Sequence, residues 1–205
     1  MPPGAIGSQR LLRGGPLSGY FQPTEIIVPE GAQVGVAHQG GYTQSSPGHP
    51  VVGMLVGQVY RLRVSEIINH PGVVLYPTVE LIDRLYPPPG EATRFPVPIE
   101  LTREELDMAA RGMFVTRVIY VEDPLQALPT PQLAGQPWFE AGEGEDPLEV
   151  ADQLGRPIAI LRLGGRDWSQ SAGDPRKNYG CPPIIEHGYK FQQPDPQVPV
   201  SHSAE

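Results

Sequence analysis

Cysteine is nearly missing from this chain. Cys181 stands alone, which excludes an intrachain disulfide framework and any zinc site built from several thiolates. Lysine is almost as scarce. Lys177 and Lys190 are the only lysines, both towards the C-terminus, so residues 20–163 offer none for a Schiff base or a phosphate cradle. Long apolar runs are absent too. Val51 to Val56 and Val118 to Val121 fall far short of the roughly 20 residues a membrane-spanning helix needs, so no membrane span is expected. No apolar stretch follows Arg10 and Arg13, and the sequence predicts no export signal here. Walker A, G-x-G-x-x-G, G-x-S-x-G, H-E-x-x-H and calcium-loop patterns are all missing. The sequence therefore predicts no catalytic residue, cofactor or metal site. A formal charge of −8 with no basic stripe argues against nucleic acid as a partner.

Turn-forming residues, by contrast, are plentiful. With 24 glycines and 26 prolines, about a quarter of the 205 residues favour turns and irregular chain. They are unevenly spread. The Gly-, Pro- and Ser-rich ends predict a flexible N-terminal segment at 1–19 and a disordered tail at 164–205. Between them, residues 20–123 carry the β-patterned core. Residues 124–163 read as a linker, a short helix and an added strand packing on that core.

Alternation of apolar and polar residues marks the strands. Thr24 to Val28 and Gln33 to His38 flank a Pro-Glu-Gly turn. Val51 to Val56 follows, then Gln58 to Ile67, in which Tyr60, Leu62 and Val64 alternate with Arg61, Arg63 and Ser65, the pattern of one buried and one wet face. Asn69-His70-Pro71-Gly72 is a turn. Val73 to Tyr76 and Thr78 to Leu85 are separated by Pro77, which marks an edge, a bulge or a strand start. Tyr86-Pro87-Pro88-Pro89-Gly90 is a stiff connector. Arg94 to Leu101, with Pro96 and Pro98 on one side, reads as an edge strand. Thr102 and Glu105 form a capping box for a helix that Gly112 stops. Met113 to Glu122 is apolar on both alternating sets and is expected in the middle of a packed layer. Asp146 and Pro147 open a second helix closed by Gly155, and Pro157 to Leu163 is the last strand.

Most gaps between strands are too short for crossover helices. The expected fold is mainly β: an antiparallel β-sandwich, immunoglobulin-like in the loose sense, with two short helices and flexible tails. A small barrel is the runner-up.

Candidate sites are few. Glu140, Glu143, Glu145, Asp146, Glu149 and Asp152 form an acidic stretch without an intervening base. It reads as a solvated loop entering a helix, with weak cation binding as the alternative. Cys181, His187 and His202 match no standard zinc spacing. Arg61, Arg63 and Arg117 could gather as an anion patch, although cross-strand pairing with Glu80 or Glu66 is the plainer use. The pairs Glu80 with Asp83 and Glu104 with Asp107 would serve acid–base chemistry only in a cleft. The edge around Arg94, Phe95 and Val97 and the aromatic pair Trp138-Phe139 are the candidate interaction surface.

The runs GQVYRLRVSEI, YPTVELIDRLYPPPG, FPVPIELTREEL and FVTRVIYVEDP resemble uncharacterised envelope-associated proteins of planctomycete bacteria, over Gly57 to Pro124. That resemblance implies the cell envelope or periplasm, although such relatives usually begin with an export signal that is not seen here. It implies no activity. The expected function is a non-enzymatic structural or protein-interaction module of the bacterial envelope, with a protein partner or self-assembly. A hydrolase or carbohydrate-active module using Glu80, Asp83 or the 140–152 acids is the alternative. A small-ligand or metal site around His70 is a third reading.

Overall fold

The computed structural model describes residues 3–43, 49–122, 146–164 and 181–190. Within them lie ten strands, three α-helices and a short 3-10 turn at Ala92–Arg94. The strands are β1 (Phe21–Ile27), β2 (Gln33–His38), β3 (Gly41–Tyr42), β4 (His49–Leu55), β5 (Val59–Ser65), β6 (Thr78–Leu81), β7 (Val97–Glu100), β8 (Val115–Glu122), β9 (Gly155–Leu163) and β10 (Ile184–Lys190). The helices are α1 (Ala5–Leu12), α2 (Arg103–Ala110) and α3 (Pro147–Leu154).

Two sheets form, ordered β10-β4-β1-β7 and β3-β2-β5-β6-β9-β8. Every described pairing is antiparallel except β1 with β7, which is parallel. Ile26, Val52, Met54, Val97 and Ile99 of the smaller sheet share one apolar cluster with Val34, Tyr60, Leu62, Val79 and Leu161 of the larger. The sheets thus face each other across a common core, as the sandwich reading expects. Leu106 and Ala109 of α2 join that cluster.

Period-two patterning accounts for the inner face, where Tyr60, Leu62 and Val64 are fully buried. The outer face of β5 departs from expectation, because Arg61 and Ser65 are buried as well. Further along the larger sheet, that outer face holds a second, smaller cluster: Ile82 and Ile160 of the sheet region with Ile6 of α1, and Val118 and Leu148 packed against them. The six-stranded sheet is therefore dressed on both faces.

Three expectations need correcting. Residues 1–19 were expected to be flexible, yet α1 occupies Ala5–Leu12 and buries Ile6 and Gly7. Its shape explains the docking: a Cβ on Gly7 would sit 2.9 Å from the Cα of Gly57, so only glycine allows this backbone approach. The tail expected at 164–205 contains β10, which pairs with β4 around a bulge at Glu186/Gly188. The strand Met113 to Glu122, expected at the centre, is β8, the margin of its sheet with β9 as its one described neighbour. Its two apolar faces have another cause. Val115 and Ile119 pack against the main core and Val118 against the smaller cluster, because both sheet faces are covered. The neighbouring β9 is flanked on both sides, by β6 and by β8.

Several local readings hold. Thr102 and Glu105 make the reciprocal capping box, Asp146 caps α3 with Pro147 behind it, and Pro77 immediately precedes β6. Val73 to Tyr76 forms no strand, only an isolated bridge from Leu75 to Val64.

Candidate functional site

Glu80 shows what the outer face is built for. On β6 it lies opposite Ile160, and Arg162, two residues further along β9, shares its face. The carboxylate is fully buried. Oε2 pairs with Arg162 Nη1 at 2.9 Å and Oε1 accepts the Gly7 N–H at 2.9 Å. Gly7 is the third residue of α1, and amides in a helix's first turn have no partner within the helix. Glu80 supplies one, and in doing so fastens α1 to the sheet.

Asp83 makes the second fastening. Its Oδ2 meets Arg156 at 2.8 Å and Arg10 at 3.5 Å, while Oδ1 accepts the Arg84 N–H at 2.7 Å. Arg10, on α1, also reaches Asp152 of α3 at 3.9 Å. Glu80, one of the two carboxylates expected to pair across strands with Arg61 or Arg63, has Arg162 as its cross-strand partner. The alternative, an anion patch of Arg61, Arg63 and Arg117, lacks its third member, because Arg117 takes a different direction. On β8 it pairs with Glu105 of α2 at 3.1 Å and donates to the Glu100 carbonyl of β7. That bridge ties the margins of the two sheets together.

Arg84 continues from Asp83 into an aromatic cluster. Its guanidinium lies over the Tyr20 ring at 5.0 Å and over the Tyr86 ring at 4.4 Å. Arg156 lies over Tyr86 at 5.2 Å and donates to the Arg84 carbonyl at 2.9 Å. The Tyr86-Pro87-Pro88-Pro89 connector carries one of these rings, 64 % exposed.

His70 sits against α2, with Nε2 2.6 Å from Asp107 Oδ1. Asp107 also pairs with Arg111 at 2.6 Å. The His70 hydrogen bond, followed by the Arg111 charge, holds the Asp107 carboxyl below the usual carboxylate range. This pairing anchors the turn before β6 to α2. Elsewhere, Tyr60 Oη accepts the Leu55 N–H and donates to the Pro183 carbonyl, each at 2.8 Å, and burial pushes its hydroxyl up to about 12.

The interaction surface expected from sequence is split. Val97 is buried in the main core. Arg94 and Phe95 are exposed, and Arg94 pairs with Glu91 at 2.6 Å. Trp138, Phe139 and the acids from Glu140 to Glu145 lie outside the described residues. His202 does as well, while Cys181 is half-buried and His187 exposed. Among the described residues no group of three His, Cys, Asp or Glu side chains could hold a metal ion, and no helix is long and apolar enough to cross a membrane.

Of the four sheet margins, β10, β7, β3 and β8, the pair β7 and β8 differ in chemistry. On β7 the Leu101 N–H bonds the Ile27 carbonyl, so residues in phase with Leu101 direct their backbone polar groups to β1. Pro96 and Pro98 fall on the outward phase and have no N–H to donate. The Glu100 carbonyl is already taken by Arg117. That margin is blocked to an added strand. On β8, eight residues run without proline or lysine, and the edge is guarded only by the charges of Arg117 and Glu122 and a register shift at Ile119/Tyr120. Met113 and Phe114 stand at its start, 44 % and 63 % exposed. Sequence reasoning passed over this pair because the apolar run looked like core.

Comparison with protein-family models, with curated proteins and with solved structures finds no match.

Proposed function

We propose that this chain is a non-catalytic, protein-binding β-sandwich of the bacterial envelope, and that it engages a partner strand along β8, with Phe114 as the apolar anchor. The observation that carries this reading is the contrast between the β7 and β8 margins. β7 is closed by two prolines and an arginine cap, while β8 has one described neighbour and an exposed aromatic ring at its start. An open edge supplies main-chain hydrogen bonds, and a neighbouring ring supplies apolar anchorage. The envelope setting rests on the resemblance over Gly57 to Pro124.

The hydrolase alternative loses support at Glu80 and Asp83, while its acids from Glu140 to Glu145 lie outside the described residues. Glu80 has no solvent exposure and both of its oxygens are engaged; Asp83 is held between two arginines. A general acid or base must reach its substrate or a water, and Glu80 reaches neither.

A photo-crosslinking residue placed at Phe114, expressed in a bacterial host and followed by cell fractionation, tests the proposal. The expected result is a discrete adduct in the envelope fraction that disappears when Ile119→Pro disrupts the edge strand, with a crosslinker at Phe95 as the negative control. Equal labelling at both positions, or a chain found only in the cytosol without an adduct, would overturn it.

A further inference from the structure

The Arg84 cluster carries an imbalance that packing alone leaves unexplained. Three guanidiniums lie in this region: those of Arg84 and Arg156 both lie over the Tyr86 ring, that of Arg10 also reaches the exposed Asp152, and the one buried carboxylate is Asp83. Arg10 and Arg156 are both ion-paired to it. Arg84 forms no ion pair among the described residues, and its Nε–H is buried without a hydrogen-bond partner. An unmet buried donor costs free energy, and a charged one more than a neutral one. In a chain of net charge −8 this is a local excess of positive charge, held on a rigid proline-rich loop beside a largely exposed ring.

We propose that this niche binds a carboxylate group, with Arg84 as the primary ligand and Tyr86 as a movable wall. A guanidinium lying over two rings presents its N–H groups at its edge, in its own plane. Planar bidentate pairing with a carboxylate uses that edge and gives short, charge-assisted hydrogen bonds. Tyr86 is the exposed wall, so a small rotation of its ring admits the ligand to the Nε side. Arg156 stays with Asp83 and keeps the local potential positive. The site is separate from the Phe114 surface. Arg156 pairs with Val121 near one end of β8, whereas Val115, next to Phe114, pairs with Leu163 at the other. Seven residues of strand separate the two, about 23 Å.

The test is a side-chain NMR titration of the full chain, 15N-labelled, with succinate, inorganic phosphate and chloride at matched ionic strength. The Arg84 Nε–H and the Tyr86 ring signals should shift saturably with succinate in the millimolar range, and at least tenfold more weakly with phosphate. Arg84→Lys keeps the charge but removes the fork, and should abolish saturation while the thermal unfolding midpoint stays within a few degrees. If that variant unfolds, the wild-type comparison among the three anions still decides. A linear, unsaturated response to succinate, equal saturation by chloride, or tighter binding of phosphate would overturn the proposal. None of these outcomes depends on the crosslinking at Phe114.

Discussion

The two faces of the six-stranded sheet bury their side chains by different chemistry. The inner face is closed by aliphatic side chains and Tyr60, whose one polar atom has both a donor and an acceptor. The outer face is closed by α1 and α3 over a small apolar cluster and over buried charges, Glu80 with Arg162 and Asp83 with Arg156. Apolar packing is non-directional, so it holds the sheets together without dictating a single arrangement. A buried ion pair contributes less net stability but tolerates only the geometry that satisfies it. The inner face accordingly supplies most of the stability. The outer face fixes where α1 sits.

Breaking the outer face at its charge should have the largest effect. Glu80→Ala strands Arg162 and the Gly7 amide in a buried site, and should cost about 3–5 kcal/mol in urea unfolding. A loss below ~1 kcal/mol would show that the pair is solvated. On the inner face, Leu161→Ala should cost about 2–5 kcal/mol through lost contacts and a residual cavity, with no change in α1 protection. The difference between the faces sharpens in the double variant Glu80→Leu with Arg162→Met. Replacing both charges removes the unpaired-ion penalty but leaves the Gly7 amide unmet, so a deficit of about 1–3 kcal/mol should remain. Recovery to full stability would mean that Gly7 finds water instead.

The smallest effect concerns Asp107. Its carboxyl is held below the usual range by His70 and Arg111. A depressed carboxylate contributes stability above its unfolded pKa, near ~3.9, and that contribution fades as pH falls through the folded value. Acid titration of stability should therefore lose part of its slope below about pH 4 in His70→Ala. An unchanged slope would assign the dependence to Arg111 alone.

The same contrast explains what could be read from the sequence. Inner-face residues announce themselves by alternation, and Tyr60, Leu62 and Val64 are buried as expected. Locally written signals were equally legible. The α2 capping box needs only Thr102 and Glu105, three residues apart, and the prolines at 96 and 98 mark β7 as an edge. The outer face was not legible because its partners are distant in the chain. Gly7 and Glu80 are 73 residues apart, and α1 has no side-chain cap to give it away. A helix this short forms through its docking rather than through its own propensity. β10 was hidden likewise, since a bulge and Gly188 interrupt its alternation. β8 misled in the opposite direction: two apolar faces report two covered sheet faces, whereas sheet order is set by pairing that composition does not record. Of the expected contact residues, Arg94 and Phe95 are exposed while Val97 is core. Phe114 went unnoticed because an exposed anchor and a buried side chain look alike in a hydrophobic run.

The clasp of α1 onto the six-stranded sheet is best tested by native-state hydrogen exchange at the Gly7 amide, whose acceptor is a side chain of β6 rather than a helical carbonyl. The account predicts protection that approaches the Val79 and Leu81 amides of β6 and collapses in Glu80→Ala. Exchange of Gly7 at the rate of an unstructured peptide in the wild-type chain would contradict it.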